Sequence, residues 1–352
     1  MSEQKAHDTM RAAVLVGPNQ IEMREVAVPP MGPGLIEIAV KACGVCGSDV
    51  HMWNNGKGGL AADMSDFIMG HEFAGEVTNP GDSDFQVGDR VVFWANLYCG
   101  KCDMCRAGQE QLCRYVNGEK YIGFVTDGAL AERYVGKAMN AYKLPDNVSY
   151  IAAGLIDPLM VAYHAVKQSS LKLHGTALVV GTGPIGYLMG HLLKKAGASY
   201  VALSYVSEKR LPFARSTGDF DAYFDGNDLD RAKLMYEATD GGFDVVFEAV
   251  GSADTIATAL DAVKPGGEIV AVGNPPGPIP IDINRIVLRD VRLIGSVSCT
   301  RVEFTETIAL IAAGTIDTEK YATDVMSLDQ LQHAFERLTS DTDPALKVVI
   351  QP

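Results

Sequence analysis

A glycine-rich turn between a strand-like run and a helix-like run places the strongest constraint on how this 352-residue chain folds. Residues 179–186 read Val-Val-Gly-Thr-Gly-Pro-Ile-Gly, a G-x-G-x-x-G pattern whose glycines are Gly181, Gly183 and Gly186. The first glycine makes the turn, the second lets a pyrophosphate approach the backbone, and the third lets the helix pack on the strand. Strand-like and helical runs alternate from there to residue 272, which predicts βαβ units and a parallel sheet. We therefore expect an α/β, doubly wound Rossmann domain that binds a dinucleotide at a helix N-terminus.

The residues after the next strand bear on the choice between NAD and NADP. An Asp or Glu at this strand end would bind the ribose 2′-hydroxyl of NAD, but the strand ends with Ser204 and Tyr205, followed by Lys209 and Arg210. Hydroxyls and cations without an acid favour a 2′-phosphate and hence NADP. NAD stays open, because both cations fit the first turn of an exposed helix and Glu208 weakens the positive field. The predicted cofactor-binding residues are Gly181, Gly183, Pro184, Ile185, Gly186, Ser204, Tyr205, Lys209, Arg210, Val250, Val272 and Gly273.

Four cysteines within fifteen residues predict a closed metal site. They follow the spacing Cys-x2-Cys-x2-Cys-x7-Cys and comprise Cys99, Cys102, Cys105 and Cys113. Four thiolates around one zinc ion leave no position for a substrate, so the predicted role is structural. An iron–sulfur cluster also uses close cysteine spacing and stays the alternative. With seven cysteines in all, an odd and clustered set, a reducing compartment is favoured over a disulfide framework.

A second set of metal-binding side chains lies in Gly-Val-Cys-Gly-Ser-Asp-Val-His at 44–51 and Gly-His-Glu at 70–72. The thiol of Cys46, an imidazole and a carboxylate are ligands that suit zinc. Ser48 and His51 follow the thiol by two and five residues, so a hydroxyl and a second imidazole are expected near the metal. The pattern predicts a zinc site that also moves a proton. A buried cysteine with a core histidine is the alternative for any of these residues taken alone.

The organisation of the chain changes near Ile151. Residues 11–42 and 72–93 alternate apolar and polar positions between Pro and Gly breaks, which predicts short antiparallel strands in a partly open, β-rich barrel. Residues 303–352 read as two helices and a closing strand that return to this first domain. The predicted domains are residues 1–156 with 299–352, and residues 157–298.

Charge and hydropathy exclude several partners. The formal net charge of −14 and the lack of a basic patch argue against nucleic acid. The amino-terminal segment, residues 1–8, is polar and lacks the apolar core of a signal peptide. No apolar run is long enough to span a bilayer, so we expect no membrane partner and a cytoplasmic location.

Together these motifs resemble the zinc-dependent medium-chain dehydrogenase/reductase family along essentially the whole chain. Cys-Gly-Ser-Asp-Val-His and Gly-His-Glu resemble its sorbitol and polyol dehydrogenase branch, with the threonine dehydrogenases close by. The resemblance implies a GroES-like catalytic domain interrupted by a Rossmann cofactor domain. It also implies two zinc ions per subunit and a homo-oligomer, a homotetramer or a dimer.

The resemblance implies roles for individual residues at the catalytic zinc. The implied ligands are Cys46, His71, Glu72 and Asp157, of which Asp157 stands in Ile-Asp-Pro where polyol dehydrogenases usually carry Glu-Pro. Because Asp is one methylene shorter, Asp157 either ligates the metal or holds its water. Asp49 is expected to hydrogen-bond the second nitrogen of His71, and Ser48 and His51 to relay the proton of the alcohol. An Arg that sorbitol dehydrogenases place after the last Rossmann strand has no clear counterpart in residues 296–300, the nearest cation being Arg301.

The implied reaction is the reversible oxidation of a secondary alcohol, a polyol or sugar, to the carbonyl, with hydride transfer to NAD(P). An L-threonine 3-dehydrogenase-like activity on an amino alcohol stays the alternative within enzymes. A zinc-stabilised NADP-binding or sensor protein without catalysis is the alternative from another class, and the intact Ser48 and His51 argue against it.

Overall fold

The computed structural model describes residues 8–56, 66–115, 121–275, 277–340, 342 and 344–352. Residues 1–7, on which the absence of a signal peptide was inferred, lie outside the described residues. The chain divides into two compact units. The discontinuous unit comprises Met1–Asp157 and Thr300–Pro352, and the inserted unit comprises Pro158–Cys299.

The first part of the discontinuous unit is built mainly of strands, as its alternating pattern predicts. Its strands are β1 Thr9–Gly17, β2 Gln20–Ala27, β3 Leu35–Gly44, β4 Phe67–Ile68, β5 Glu72–Asn79, β6 Arg90–Phe93, β7 Arg133–Lys137 and β8 Ala141–Lys143. Its helices are α1 Gly47–Asn55, α2 Asp103–Arg106, α3 Tyr150–Ala153 and α4 Ile156–Gln168, the last of which continues into the inserted unit. Strands β2, β1 and β4 form a small antiparallel sheet in that order.

The inserted unit alternates strands and helices. Its strands are β9 Thr176–Val180, β10 Tyr200–Tyr205, β11 Ala222–Asp225, β12 Phe243–Glu248, β13 Val263–Ala271 and β14 Arg292–Gly295. Its helices are α5 Pro184–Lys195, α6 Leu211–Thr217, α7 Arg231–Ala238, α8 Ala253–Ala262 and α9 Ile283–Val287. The six strands are parallel in the order β11-β10-β9-β12-β13-β14, which is the 3-2-1-4-5-6 order of dinucleotide-binding sheets. The predicted doubly wound parallel sheet is confirmed.

The carboxyl-terminal segment joins the sheet that the first part of the chain builds. It contains α10 Arg301–Ala312, β15 Asp324–Ser327, α11 Leu331–Leu338 and β16 Val348–Gln351. The larger sheet runs β15-β16-β3-β5-β6-β8, with β7 also paired to β3. At the end of β3, Gly44 pairs with Glu72 of β5 on one side and with Val349 of β16 on the other. Residues distant in sequence therefore meet at this point.

Each unit has its own apolar core. In the discontinuous unit the rings of Phe73, Phe93 and Tyr134 pack together with centroids 4.7–5.3 Å apart. In the inserted unit residues 177–180 of β9 are all buried, as expected for a central parallel strand covered on both faces. None of the helices in the described part of the chain combines the length and apolarity that crossing a bilayer requires.

Candidate active site

Cys46 stands immediately before the first turn of α1. Its backbone N–H donates to Asp49 Oδ2 at 2.8 Å, which fixes the start of the helix, and Gly56 ends the helix in the left-handed region at φ 64°. A side chain at a helix N-terminus faces unpaired N–H groups and the positive end of the helix dipole. The thiol of Cys46 is therefore held where negative charge is stabilised.

His71 and Glu72 are positioned by a turn that only glycine can make. Gly70 has φ +96°, and a Cβ there would lie 2.7 Å from Leu130 Cγ and 2.8 Å from Cys43 Sγ. The turn leads directly into β5, so both metal-binding side chains are anchored at a strand end. Both are buried, and the imidazole of His71 packs against Phe124 with centroids 4.7 Å apart.

The ligand atoms of Cys46, His71 and Glu72 all lie within 4.8 Å of one another. Ligands bound to one zinc ion at about 2.0–2.3 Å must be close to this, so the three fit a single metal ion. The structure thus brings together three of the four predicted ligands. Asp157, in the first turn of α4, lies outside this group.

Asp49 links the helix start to the imidazole. Its Oδ1 lies 3.6 Å from Nδ1 of His71, and both side chains are buried. This separation makes a charge contact rather than the short hydrogen bond that the family resemblance implies. Burial alone would lower the pKa of His71, but the negative charges of Asp49 and Cys46 outweigh it and raise this pKa well above its ordinary value. The strong negative field fits a site for a cation.

Asp157 lies in the same field. Its removal from water raises its pKa to about 7; among the nearby charges, His71 lowers that pKa and Glu72 raises it. Tyr121 lies close enough to Asp157 to be affected by its charge. Burial and then the charge of Asp157 raise the pKa of the Tyr121 phenol to about 12. The motifs did not indicate Tyr121, which lies in the loop that also carries Phe124.

Ser48 and His51 stand three residues apart on α1, about one helical turn. The hydroxyl oxygen of Ser48 is buried and has no hydrogen-bond partner among the described residues, whereas His51 is exposed. A buried hydroxyl and an exposed imidazole on one helix face suit the transfer of a proton from the site to solvent.

A buried lysine, absent from the motif analysis, completes the polar cluster. Lys347 precedes β16, and its ammonium group forms an ion pair with Oε2 of Glu72. The two side chains are only 3% and 1% exposed. The sequence did contain a sign of this ion pair, because Lys347 is the single charged residue in the apolar closing run of residues 346–350. A charge buried in such a run needs a buried partner of opposite charge.

The four predicted cysteines of the second centre form a compact lobe around α2. The Sγ atoms of Cys99 and Cys105 are 3.8 Å apart, and those of Cys102 and Cys113 are 3.9 Å apart. Thiolates at about 2.3 Å from one tetrahedral zinc ion lie about 3.8 Å from each other. The spacing therefore fits a single ion, whereas a cluster of several irons binds its cysteines through different metal atoms and needs wider spacing.

Backbone donors support this four-cysteine lobe locally. The N–H groups of Lys101 and Cys102 donate to Cys99 Sγ at 3.4 and 3.3 Å, and that of Cys105 donates to Cys102 Sγ at 3.4 Å. These backbone hydrogen bonds stabilise thiolate charge and orient the sulfur atoms before any ion binds.

The glycine-rich turn of the inserted unit has the geometry that its motif predicts. Gly181 has φ +126°, Gly183 precedes α5 and has open space at its Cβ position, and a Cβ at Gly186 would collide with the carbonyl of Gly181. Pro184 occupies the first turn of α5, a position that needs no N–H donor. The turn therefore leaves a free helix N-terminus with room for a phosphate.

Glu248 organises the neighbouring strand ends, a role that sequence reasoning missed. Its Oε1 accepts from the N–H groups of Val250 and Gly251 at 2.8 Å. Its carbonyl accepts from those of Val272 and Gly273 at 2.8 and 3.0 Å. The buried carboxylate and the backbone carbonyl of Glu248 thus together hold the predicted cofactor residues Val250, Val272 and Gly273.

The end of β10 carries charges of both signs. Ser204 is buried, Tyr205 is half-buried and Lys209 is exposed, while removal from water lowers the pKa of Arg210. The adjacent strand β11, which the sequence did not predict, ends with Asp225 directly beside Tyr205. The edge therefore combines Lys209 and Arg210 with an acid that the motif reading did not include.

Comparisons with known proteins agree with both units. The family described as "Alcohol dehydrogenase GroES-like domain" matches residues 32–146, and "Zinc-binding dehydrogenase" matches residues 184–313. The sorbitol dehydrogenase of Bacillus subtilis (strain 168) is 31% identical, with 97% of each chain covered. The L-threonine 3-dehydrogenase of Edwardsiella ictaluri (strain 93-146) is 31% identical, covering 91% of this chain and 93% of the relative.

A solved structure with the same fold is a zinc-binding dehydrogenase of Sinorhizobium meliloti 1021 bound to NADP. It is 29% identical with a TM-score of 0.86, and the similarity covers 98% of this chain and 100% of that chain.

Proposed function

This chain belongs to the zinc-dependent medium-chain alcohol dehydrogenase family, and from that premise we propose that it reversibly oxidises a secondary alcohol of a polyol or sugar to the carbonyl, with hydride transfer to NAD(P). The observation that carries the proposal is the group formed by Cys46, His71 and Glu72 within 4.8 Å, together with the buried hydroxyl of Ser48, two residues after Cys46 in the chain.

The proposal assigns the chemistry to the domains predicted above. Residues 1–156 and 299–352 form the catalytic domain, and residues 157–298 bind the dinucleotide. One zinc ion would be held by Cys46, His71 and Glu72, with Asp157 as a further ligand or as the holder of its water. A second would be held by Cys99, Cys102, Cys105 and Cys113. The cytoplasmic location and the homotetrameric state stay predictions.

When bound, the zinc ion would supply Lewis-acid activation of the alcohol, and the nicotinamide would supply the hydride acceptor. The side chains of the chain do the rest. Ser48 would accept the hydroxyl proton of the substrate while it releases its own proton towards His51, and His51 would pass a proton to solvent, since imidazole groups exchange protons near neutral pH. Asp49 holds the ring of His71 through the contact of 3.6 Å at Nδ1, which directs Nε2 towards the metal.

A neutral polyhydroxylated substrate fits the charges of the site better than an amino acid does. Asp49, Glu72 and Asp157 place three carboxyl groups near the metal ligands, and the buried cation Lys347 is already paired with Glu72. Threonine is a zwitterion, and although its ammonium group suits this negative cluster, its carboxylate would meet a lysine that is already paired with Glu72. Arg301 is engaged elsewhere, because its Nε lies 3.4 Å from Oε1 of Glu110. These contacts favour a polyol over threonine.

We assign NADP rather than NAD as the preferred cofactor. The exposed ammonium group of Lys209 and the guanidinium of Arg210 supply the positive charge that a 2′-phosphate needs. The NADP-bound relative from Sinorhizobium meliloti supports this assignment. The carboxylates of Glu208 and Asp225 oppose it, so the preference depends on the two cations outweighing them.

The test is a steady-state assay of reduced nicotinamide formation with polyols, sugars, simple secondary alcohols and threonine, each with NAD and NADP. Turnover of a polyol or sugar supports the proposal, and a threonine-specific signal with NAD contradicts it. Lys209→Ala should raise the KM for NADP about tenfold, the effect of losing one charge-assisted hydrogen bond, and leave that for NAD unchanged. Lys172→Ala, an exposed lysine before β9, is the matched control.

A further inference from the structure

The ion pair between Lys347 and Glu72 is the most completely buried salt bridge described in the discontinuous unit. Burying two charges costs several kcal/mol per ion and is rarely a gain in stability over an apolar pair. Glu72 is at the same time one of the three side chains grouped around the candidate metal position. A lysine paired with a candidate metal ligand competes with the metal for the same carboxylate.

The backbone is built to admit this pair. Gly44 lies between Glu72 on β5 and Val349 on β16. A Cβ at Gly44 would collide with Oε2 of Glu72 and with the carbonyl oxygen of Gly154, and it would lie 3.1 Å from Cε of Lys347. Gly44 does not have a positive φ, so a glycine is required here by the space that the ion pair and the carbonyl of Gly154 occupy and not by the backbone conformation.

The charges around the pair balance with a divalent ion. The positive charge of Lys347 acts on Glu72, Cys46 and Asp49, which as a thiolate and two carboxylates carry three negative charges. Zinc supplies two positive charges and Lys347 supplies the third. Without Lys347 the cluster would hold one uncompensated negative charge.

We propose that Lys347 is a positioning residue that holds the carboxylate of Glu72 and competes with the metal ion for it. Glu72 then stays a weak ligand, and a coordination position remains accessible to the substrate oxygen. The inference rests on the proposed function for its effect on turnover, but its effect on metal affinity does not depend on any substrate.

The test compares Lys347→Met, which keeps the length and removes the charge, with Lys347→Arg, which keeps the charge. Zinc affinity is measured by competition with a chromophoric chelator, and the zinc content of the four-cysteine lobe serves as the internal reference for folding. Lys347→Met should bind the catalytic zinc about tenfold more tightly and lose about tenfold in kcat, the usual scale for residues behind metal ligands. Lys347→Arg should remain close to the unmodified protein in both quantities.

The opposite signs separate this role from a structural one. Loss of packing would weaken zinc binding and turnover together, whereas release of Glu72 tightens zinc binding and slows turnover. A double-mutant cycle adds the second readout. In the Glu72→Gln background, Lys347→Met should change zinc affinity less than twofold, because the carboxylate for which lysine and metal compete is gone.

The proposal is overturned if Lys347→Met lowers zinc affinity and kcat together, or if its effect on affinity is equal in the Glu72→Gln background. If Lys347→Met does not fold, Lys347→Gln removes the same charge while keeping a hydrogen-bond donor, and the same criteria apply. A tenfold gain in zinc affinity with no turnover of any alcohol would support the role of Lys347 and refute the proposed function.

Discussion

The two candidate metal centres differ in how their side chains are brought together. The four-cysteine lobe is contained in residues 99–113, and its thiols accept hydrogen bonds from backbone N–H groups within the same loop. The centre around Cys46 is assembled from chain segments that range from residue 46 to residue 347. One centre can form wherever its loop forms, whereas the other exists only when β3, β5 and β16 are paired.

The two centres also differ in chemistry. Four thiols at tetrahedral spacing leave no position for another ligand. The assembled centre has three close ligands and, around them, Asp49, Asp157 and Lys347, whose charges influence one another. The four-cysteine centre is therefore suited to stabilising its loop. The assembled centre is suited to reactivity, because each charged residue around its ligands can be changed separately.

The largest effect is expected from Cys46→Ser. Removing this ligand should lower kcat/KM by about 10³-fold or more, since the metal supplies several kcal/mol of transition-state stabilisation. Zinc content should fall by one ion per chain, with the melting temperature nearly unchanged. Cys43→Ala, which removes a buried thiol three residues away, is the matched control and should keep both zinc ions. Full activity in Cys46→Ser would contradict the assignment of the assembled centre.

Cys102→Ser should act on stability first. Opening the lobe should reduce the free energy of unfolding by about 4 kcal/mol, because loss of a bound metal is one of the few changes that destabilise a protein this much. Chemical denaturation and zinc analysis on the same sample measure it. The zinc at Cys46 should remain in the folded fraction. The contrast between the two centres would break down if this variant lost both ions.

Asp49→Asn tests the field around the assembled centre. Neutralising the group 3.6 Å from His71 Nδ1 should lower kcat/KM by about 10–100-fold while zinc content stays at the normal level. Asp103→Asn is the counterpart in the lobe, where Asp103 is exposed and pairs with Arg114; it should change activity less than twofold. Equal effects of the two substitutions on steady-state kinetics would count against a role for Asp49.

The smallest effects are expected from two glycines. Gly44→Ala should cost about 1–3 kcal/mol through overpacking against Glu72 and the carbonyl of Gly154, and it should alter zinc affinity at the assembled centre. Gly100 of the lobe has φ +70° and open space at its Cβ position, so Gly100→Ala should cost about 1 kcal/mol through backbone strain alone. Thermal unfolding with zinc titration compares them. A change in catalytic zinc affinity caused by Gly100→Ala would contradict the independence of the two centres.

Much of the fold was predictable because its signals are local. The turn at Gly181, Gly183 and Gly186 and the strand–helix alternation predicted the doubly wound parallel sheet, which is confirmed. Strands β11 and β14 were not predicted because they lie at the edges of that sheet and are only partly buried or exposed. An edge strand lacks the continuous apolar run that marks the central strands, and with β11 unrecognised the acid at Asp225 was missed as well.

The sequence by itself determined the residue types of the candidate metal ligands and of the glycine-rich turn, because each is recognised by residue type and short spacing. Only the tertiary structure decided which charges surround them. Lys347 reads in sequence as one polar residue in a closing strand, and Gly44 as one of many glycines. Pairing of β3 with β5 and β16 places both beside Glu72. Electrostatic interactions depend on distance in space and on burial, and neither is a property of position along the chain.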